Sequence, residues 1–132
     1  ALPVFALGTA RGVDDQEGRA LAIERARGFL DARRRRELGL RHVAARSVEA
    51  RASFVETARL VASHGASIAD ALRISARVQR GGGLAREVVY VPALLRVEAA
   101  LLADPELDLV LGSGRVSIDA ARALAPWLAC SP

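Results

Sequence analysis

The sequence predicts an all-α protein of about six helices in one compact domain. Apolar residues recur at spacings of three and four along most of the chain, which is typical of helices with one buried face. No segment keeps the strict apolar and polar alternation of a half-buried strand, and the sequence has no internal repeat. The chain of 132 residues is of ordinary single-domain size. The predicted domain is therefore residues 1–132.

The core is predicted to consist mainly of small and aliphatic side chains. Hydrophobic residues make up 52% of the chain, but only three Phe, one Tyr and one Trp are present. Alanine, leucine and valine must therefore fill the interior, and small side chains of this kind suit closely packed helices.

The first helix is predicted to follow an extended lead-in of residues 1–13. Asp15 is the expected N-cap of a helix that continues to Leu38, because Asp is a preferred capping residue and apolar periodicity begins after it. Glu17 then lies in the first turn, beside Gly18. An acidic side chain is stabilising at any helix N-terminus, so position alone gives Glu17 no special function.

The later helices are predicted from caps and breaks. Ser67 with Asp70 resembles a capping box, Pro92 is placed in the early part of a central apolar helix, and Ser117 caps the last helix. The predicted helices after the first are residues 42–63, 67–79, about 88–102, a short turn ending at 111, and 117–127.

The charge pattern is mixed, with a modest basic excess. The chain has 19 basic residues, all of them Arg, against 15 acidic ones. Arg33 to Arg36 resemble a nucleic-acid-binding patch. The flanking Asp31 and Glu37, and the lack of interleaved aromatic residues, instead favour a solvated helix C-terminus, where cations meet the negative end of the macrodipole.

Cellular location is predicted to be cytoplasmic. No apolar run reaches the ~18 residues that a membrane span requires, and no signal peptide is recognisable. Cys130 is the single cysteine, so it has no partner for a disulfide within the chain.

Few chemical motifs are visible from spacing. His42 and His64 fall at opposite ends of one predicted helix and are expected to cap or pair locally. Arg73, Arg77 and Arg80 lie along one helix edge, which can bind an anion or be a solvated face. Residue spacing alone supports no more than a helical domain.

Several motifs occur in the order seen in one family. They are Gln16-Glu17-Gly18 with Ala20 and Glu24, Ala52 to Glu56, Arg77 to Gly81, Val89-Tyr90, and Gly112 with Val116-Ser117. The chain resembles the C-terminal part of the bacterial QEGLP-motif proteins, often labelled flavohaemoglobin-expression-modulating. Those proteins are similar to the microtubule-associated tyrosine carboxypeptidases. The resemblance covers nearly the whole chain.

The resemblance implies zinc-dependent removal of a C-terminal residue from a peptide or protein substrate. It implies that Glu17 is a metal ligand, that Gly18 leaves room beside the metal, and that Glu24 supports the ligand from an outer position. Arg77 and Arg80 are the implied partners of a substrate carboxylate, and Tyr90 is the implied catalytic residue near the oxyanion.

The departures from the family pattern are as informative as the matches. The H-E-x-x-x-H helix that supplies two His ligands and the general base is absent, and Arg19 replaces the usual Leu after Gly18. The expected explanation is that the chain is the C-terminal portion of a larger metallopeptidase-like domain, whose N-terminal part carries that helix. We expect zinc in the complete protein, with neither stable zinc binding nor activity in this chain alone.

One alternative of a different class is a non-catalytic helical module with a regulatory or nucleic-acid-contacting role. It would use Arg33 to Arg36, although the mixed charge makes nucleic acid the less favoured partner. No membrane partner is expected.

Overall fold

A computed structural model describes residues 9–80 and 84–128. Seven helices and no strand lie in this part of the chain, which confirms the all-α prediction with one helix more than the expected six. In chain order, α1 to α7 are Gly12–Ala26, Ala32–Glu49, Phe54–Ser63, Ile68–Gln79, Leu84–Ala103, Leu107–Gly112 and Ile118–Leu128.

The chain divides into two compact units. The first is Ala1–Phe29 with Pro92–Pro132, and the second is Leu30–Val91, so that α5 contributes to both. Each unit has its own cluster of buried residues. The clusters are Val97, Ala100, Leu107, Val110, Leu111, Val116, Ile118 and Ala121 in the first unit, and Leu40, Ala44, Ala45, Val61, Ala71, Ile74 and Val78 in the second. The expected small and aliphatic interior is therefore present in both.

The predicted first helix is two helices. α1 ends at Ala26 and α2 begins at Ala32. Gly28 lies between them with a φ of 78°, a left-handed conformation that interrupts a right-handed helix. The Asp31 carboxylate then accepts a hydrogen bond from the Arg34 backbone N–H at 2.8 Å and caps α2. Phe29 lies in the connection between the two helices and is 69% exposed.

The predicted helix at residues 42–63 is also divided. α2 ends at Glu49, and Arg51 follows in the left-handed region with a φ of 63°. Ser53 and Glu56 form a reciprocal capping box that starts α3. The Ser53 backbone N–H, which donates to the Glu56 carboxylate, lowers the pKa of Glu56 below its ordinary value of 4.5.

The boundaries of α4, α6 and α7 confirm the prediction closely, whereas α5 begins at Leu84, about four residues before its expected start. Ser67 caps α4 by accepting from the Asp70 N–H at 3.1 Å, and Ser117 accepts from the Ala120 N–H at 3.2 Å at the start of α7. Pro92 lies inside α5, which begins eight residues before it. Across residues 9–80 and 84–128, no helix combines the length and apolar character needed to cross a bilayer.

The arginine run lies at the opposite end of a helix from the one predicted. Arg33 to Arg36 occupy the beginning of α2, where no acidic residue lies in the first turn. Cations there meet the positive end of the macrodipole, so the interpretation as a favourable C-terminal turn is wrong. The interpretation was wrong because Asp31 caps the start of a new helix, α2, whereas the prediction placed Asp31 inside one long helix.

We expect Arg35→Glu to raise the free energy of unfolding by about 0.5 kcal/mol, because an anion replaces an exposed cation near the N-terminus of α2. Urea denaturation at low salt measures this change. Arg46→Glu, in the last turn of α2, is the matched control and should lower stability. The same sign for both substitutions would contradict the macrodipole explanation.

Candidate functional site

Asp15 caps a helix, but not the helix in which it lies. The residue is 3% exposed, and its Oδ2 accepts from the Ile118 backbone N–H, the first of α7, at 2.9 Å. Its Oδ1 accepts from Arg96 Nη2 at 2.9 Å. α1 begins three residues earlier, after Arg11, which makes no side-chain capping bond. The prediction of Asp15 as the N-cap of the first helix is therefore wrong, and the carboxylate joins α1 to α5 and α7.

Gln16 connects α1 to the turn that follows α6. Its Nε2 donates to the carbonyl oxygens of Leu111 and Gly114, both at 2.7 Å. One turn further along α1, Arg19 Nε donates to Asp108 Oδ1 at 2.8 Å. Arg19, which departs from the family pattern, therefore has a structural partner on α6.

Gly18 lies where α1 crosses α5. A Cβ at this position would be 2.4 Å from the Ala93 carbonyl oxygen, closer than any real contact of that kind. Only a hydrogen atom fits between the two backbones, so the glycine allows a close helix crossing. The resemblance implied that Gly18 leaves room beside a metal. The space next to Gly18 is filled by α5, so its role in this structure is helix packing.

Glu17 lies between these packed residues and is itself half-buried. Glu24 lies two turns later on the same side of α1, also half-buried, and each of the two residues has an interaction partner. Seven residues of helix separate them by about 10 Å along the axis, so one ion cannot contact both directly. This spacing is compatible with Glu17 as a ligand and Glu24 in an outer position.

The described residues do not form a metal site by themselves. Within residues 9–80 and 84–128, no group of three His, Cys, Asp or Glu side chains is placed to hold an ion. His64 Nδ1 lies 2.9 Å from the Leu60 carbonyl oxygen, which confirms the expected local pairing. His42 does not follow that expectation at its Nδ1, which is buried and has no hydrogen-bond partner among the described residues.

In the second unit, Arg77 belongs to a cluster centred on a buried carboxylate. Glu87 is 3% exposed and accepts from Arg41 Nε at 2.8 Å and from Arg77 Nε at 3.1 Å. The Arg41 side chain is 12% exposed, whereas that of Arg77 is 58% exposed. Glu87 therefore orients the Arg77 guanidinium while leaving much of that side chain accessible.

The other two predicted residues of the second unit lie at the end of α4 and within α5. Arg80 is the exposed C-cap of α4, and Tyr90 is half-buried in α5. Of the five predicted site residues, Glu17 and Glu24 thus belong to the first unit, and Arg77, Arg80 and Tyr90 to the second. The metal, substrate and catalytic roles of all five remain predictions.

A family model for the microtubule-associated tyrosine carboxypeptidases matches residues 1–129. The chain belongs to this family. No curated protein and no solved structure gives a significant match. The match establishes a carboxypeptidase-like relationship, and it covers every residue of the candidate site. The narrower assignment to the bacterial QEGLP-motif proteins is not confirmed.

Two residues of this family member that organise the site were not predicted. Arg96 and Glu87 both lie in the long, largely apolar helix α5, and each is paired with a residue distant in sequence. The available signal was the presence of charged residues within a largely apolar segment, since a charge needs a partner when it is buried. The partners themselves, Asp15 and Arg41, could not be identified from spacing.

Proposed function

We propose that the chain supplies part of the active site of a zinc-dependent carboxypeptidase that removes a C-terminal residue from a peptide or protein. The observation that carries the proposal is the family match over residues 1–129, combined with the position of Glu17 in α1. Glu17 is the proposed metal ligand. The proposal places the protein in the cytoplasm, with no disulfide and no membrane partner.

The residues next to Glu17 support a ligand role because they hold its backbone in place. Asp15 joins α1 to α5 and α7, Gln16 joins it to the turn after α6, and Gly18 brings it against Ala93. A carboxylate on such a segment has a restricted direction, which is what a metal ligand requires. A helix segment that only faces solvent does not need three anchoring residues so close together.

The remaining ligands are proposed to come from outside these 132 residues. A metallopeptidase of this kind needs two further protein ligands, and the only His residues here are His42 and His64, without an H-E-x-x-x-H motif. When bound, zinc would acidify a water molecule for attack on the peptide carbonyl. The chain by itself is proposed neither to hold zinc stably nor to hydrolyse peptides.

Substrate binding is proposed to involve Arg77 and Arg80, with Tyr90 near the reacting carbonyl. Arg77 is the better supported of the two arginines, because Glu87 orients its guanidinium and more than half of the side chain is exposed. An oriented guanidinium can form paired hydrogen bonds with a substrate carboxylate. Glu24 is proposed to support Glu17 from its outer position on α1.

The test is release of a C-terminal residue by the longest natural protein that contains this sequence. Mass spectrometry of peptides with different C-terminal residues identifies both the activity and the preferred residue. We expect Glu17→Gln to lower kcat/KM by at least about a thousandfold, since loss of a metal ligand removes the Lewis acid. Glu106→Gln, an equal charge change at an exposed position, is the control and should leave activity unchanged.

Two results would count against the proposal. Equal activity of the Glu17→Gln variant and the parent would remove Glu17 from the site. Full activity of the isolated 132-residue chain, which lacks the His motif, would show that its chemistry does not follow this metal-dependent scheme.

A further inference from the structure

A basic cleft in the first unit lies among the start of α1, the middle of α5 and the start of α7. Its volume is about 330 Å³, enough for a small organic anion. Three arginines line it: Arg11, Arg96 and Arg122. The floor includes the small side chains Ala99 and Ala100, so a ligand can approach α5 closely.

The acidic residues of the cleft compensate only part of this positive charge. The carboxylate of Asp15 is already engaged on both oxygens, by Arg96 and by the Ile118 N–H. Asp119 is 90% exposed at its side chain and lies 3.7 Å from Arg122, a long surface pair of little strength. Arg11 makes no ion pair or side-chain hydrogen bond in the described part of the chain. The cleft therefore keeps an uncompensated positive charge.

The cleft also holds one of its arginines, Arg96, in a fixed orientation. Asp15 holds Arg96 by hydrogen bonds of 2.9 and 3.3 Å, so one guanidinium is fixed before any ligand arrives. The cleft lies at the N-terminus of α7, an eleven-residue helix whose dipole adds positive potential. Arginines that converge on one cavity favour planar or tetrahedral oxyanions, which accept several hydrogen bonds at once.

We propose that this cleft binds a small oxyanion, a carboxylate or a phosphate group, through Arg11, Arg96 and Arg122. The site uses neither Glu17 nor Arg77 and does not depend on the proposed peptidase function. The ligand is expected to have a small body next to its anionic group, because the alanine floor leaves only a shallow apolar surface.

The experiment is titration of the isotope-labelled chain with inorganic phosphate, N-acetylglycine and neutral N-acetylglycinamide, followed by NMR of the backbone amides. We expect saturable shifts at the start of α7 and around Arg96, with a Kd on the order of 1 mM for at least one anion. The neutral amide should cause no saturable shift. Tighter binding of N-acetylglycine would identify a carboxylate ligand, and tighter binding of phosphate would identify a phosphate ligand.

The variant for this test is Arg11→Gln with Arg122→Gln, which leaves the ion pair between the buried Asp15 and the more exposed Arg96 intact. Loss of two charge-assisted contacts should weaken anion binding by at least about tenfold. Arg27→Gln with Arg115→Gln removes the same charge from exposed positions outside the cleft and is the matched control. Equal weakening by both double variants, or shifts spread over every arginine, would overturn the proposal, as would no saturable binding of either anion.

Discussion

Gly18→Ala is expected to lower the free energy of unfolding by about 3 kcal/mol, because the new Cβ would collide with the backbone of α5. The collision is with the Ala93 carbonyl, 2.4 Å away, and a backbone atom cannot move aside as a side chain can. The two helices must separate, which also weakens the packing of the first unit. Urea denaturation followed by circular dichroism measures the change.

Gly39→Ala provides a control with the opposite sign. Gly39 lies inside α2, and nothing is within 4 Å of the position that its Cβ would take. Alanine is the better helix former, so this substitution should raise the free energy of unfolding by up to about 1 kcal/mol. Similar effects of the two substitutions would contradict the close crossing of α1 and α5.

Arg41→Met is expected to lower the free energy of unfolding by about 3 kcal/mol, because the buried Glu87 loses its best-shielded partner. Both oxygens of Glu87 accept from Arg41, and both side chains are nearly inaccessible to solvent. Methionine keeps most of the apolar stem, so the measured loss reports mainly on the missing guanidinium. Chemical denaturation at neutral pH measures it.

Arg77→Met is the comparison, since Arg77 binds the same carboxylate from a more exposed position. Its single hydrogen bond to Glu87 is 3.1 Å long and its side chain is 58% exposed, so solvent screens the pair. We expect a loss of about 1 kcal/mol or less. If Arg77→Met lowered the free energy of unfolding as much as Arg41→Met, burial would not determine how strongly each arginine stabilises the fold through Glu87.

Helices whose ends carry recognisable caps could be predicted from the sequence. Ser67 and Ser117 precede apolar periodic segments, and both cap the expected helices. The two interruptions near residues 28 and 51 could not be predicted in the same way. Helical periodicity continues across both, and at the second one the left-handed residue is Arg51 instead of a glycine.

Prediction of the site was limited for a different reason. The importance of Asp15 to Gly18 could be recognised, but the partners that explain it lie 75 or more residues away, at Ala93, Arg96, Leu111 and Ile118. Contacts over such sequence distances depend on how the helices pack, which local patterns do not specify. The proposed role of Glu17 rests on family resemblance, whereas the structural roles of its neighbours follow from geometry.

The central claim is that Glu17 serves metal binding while Asp15, Gln16 and Gly18 serve packing. Zinc analysis of the longest natural protein containing this sequence, with unfolding measured on the same samples, tests it most directly. We predict about one zinc per chain in the parent and almost none in Glu17→Gln, which should be as stable as the parent after zinc has been removed with a chelator. Full zinc content in a folded Glu17→Gln variant would contradict the claim.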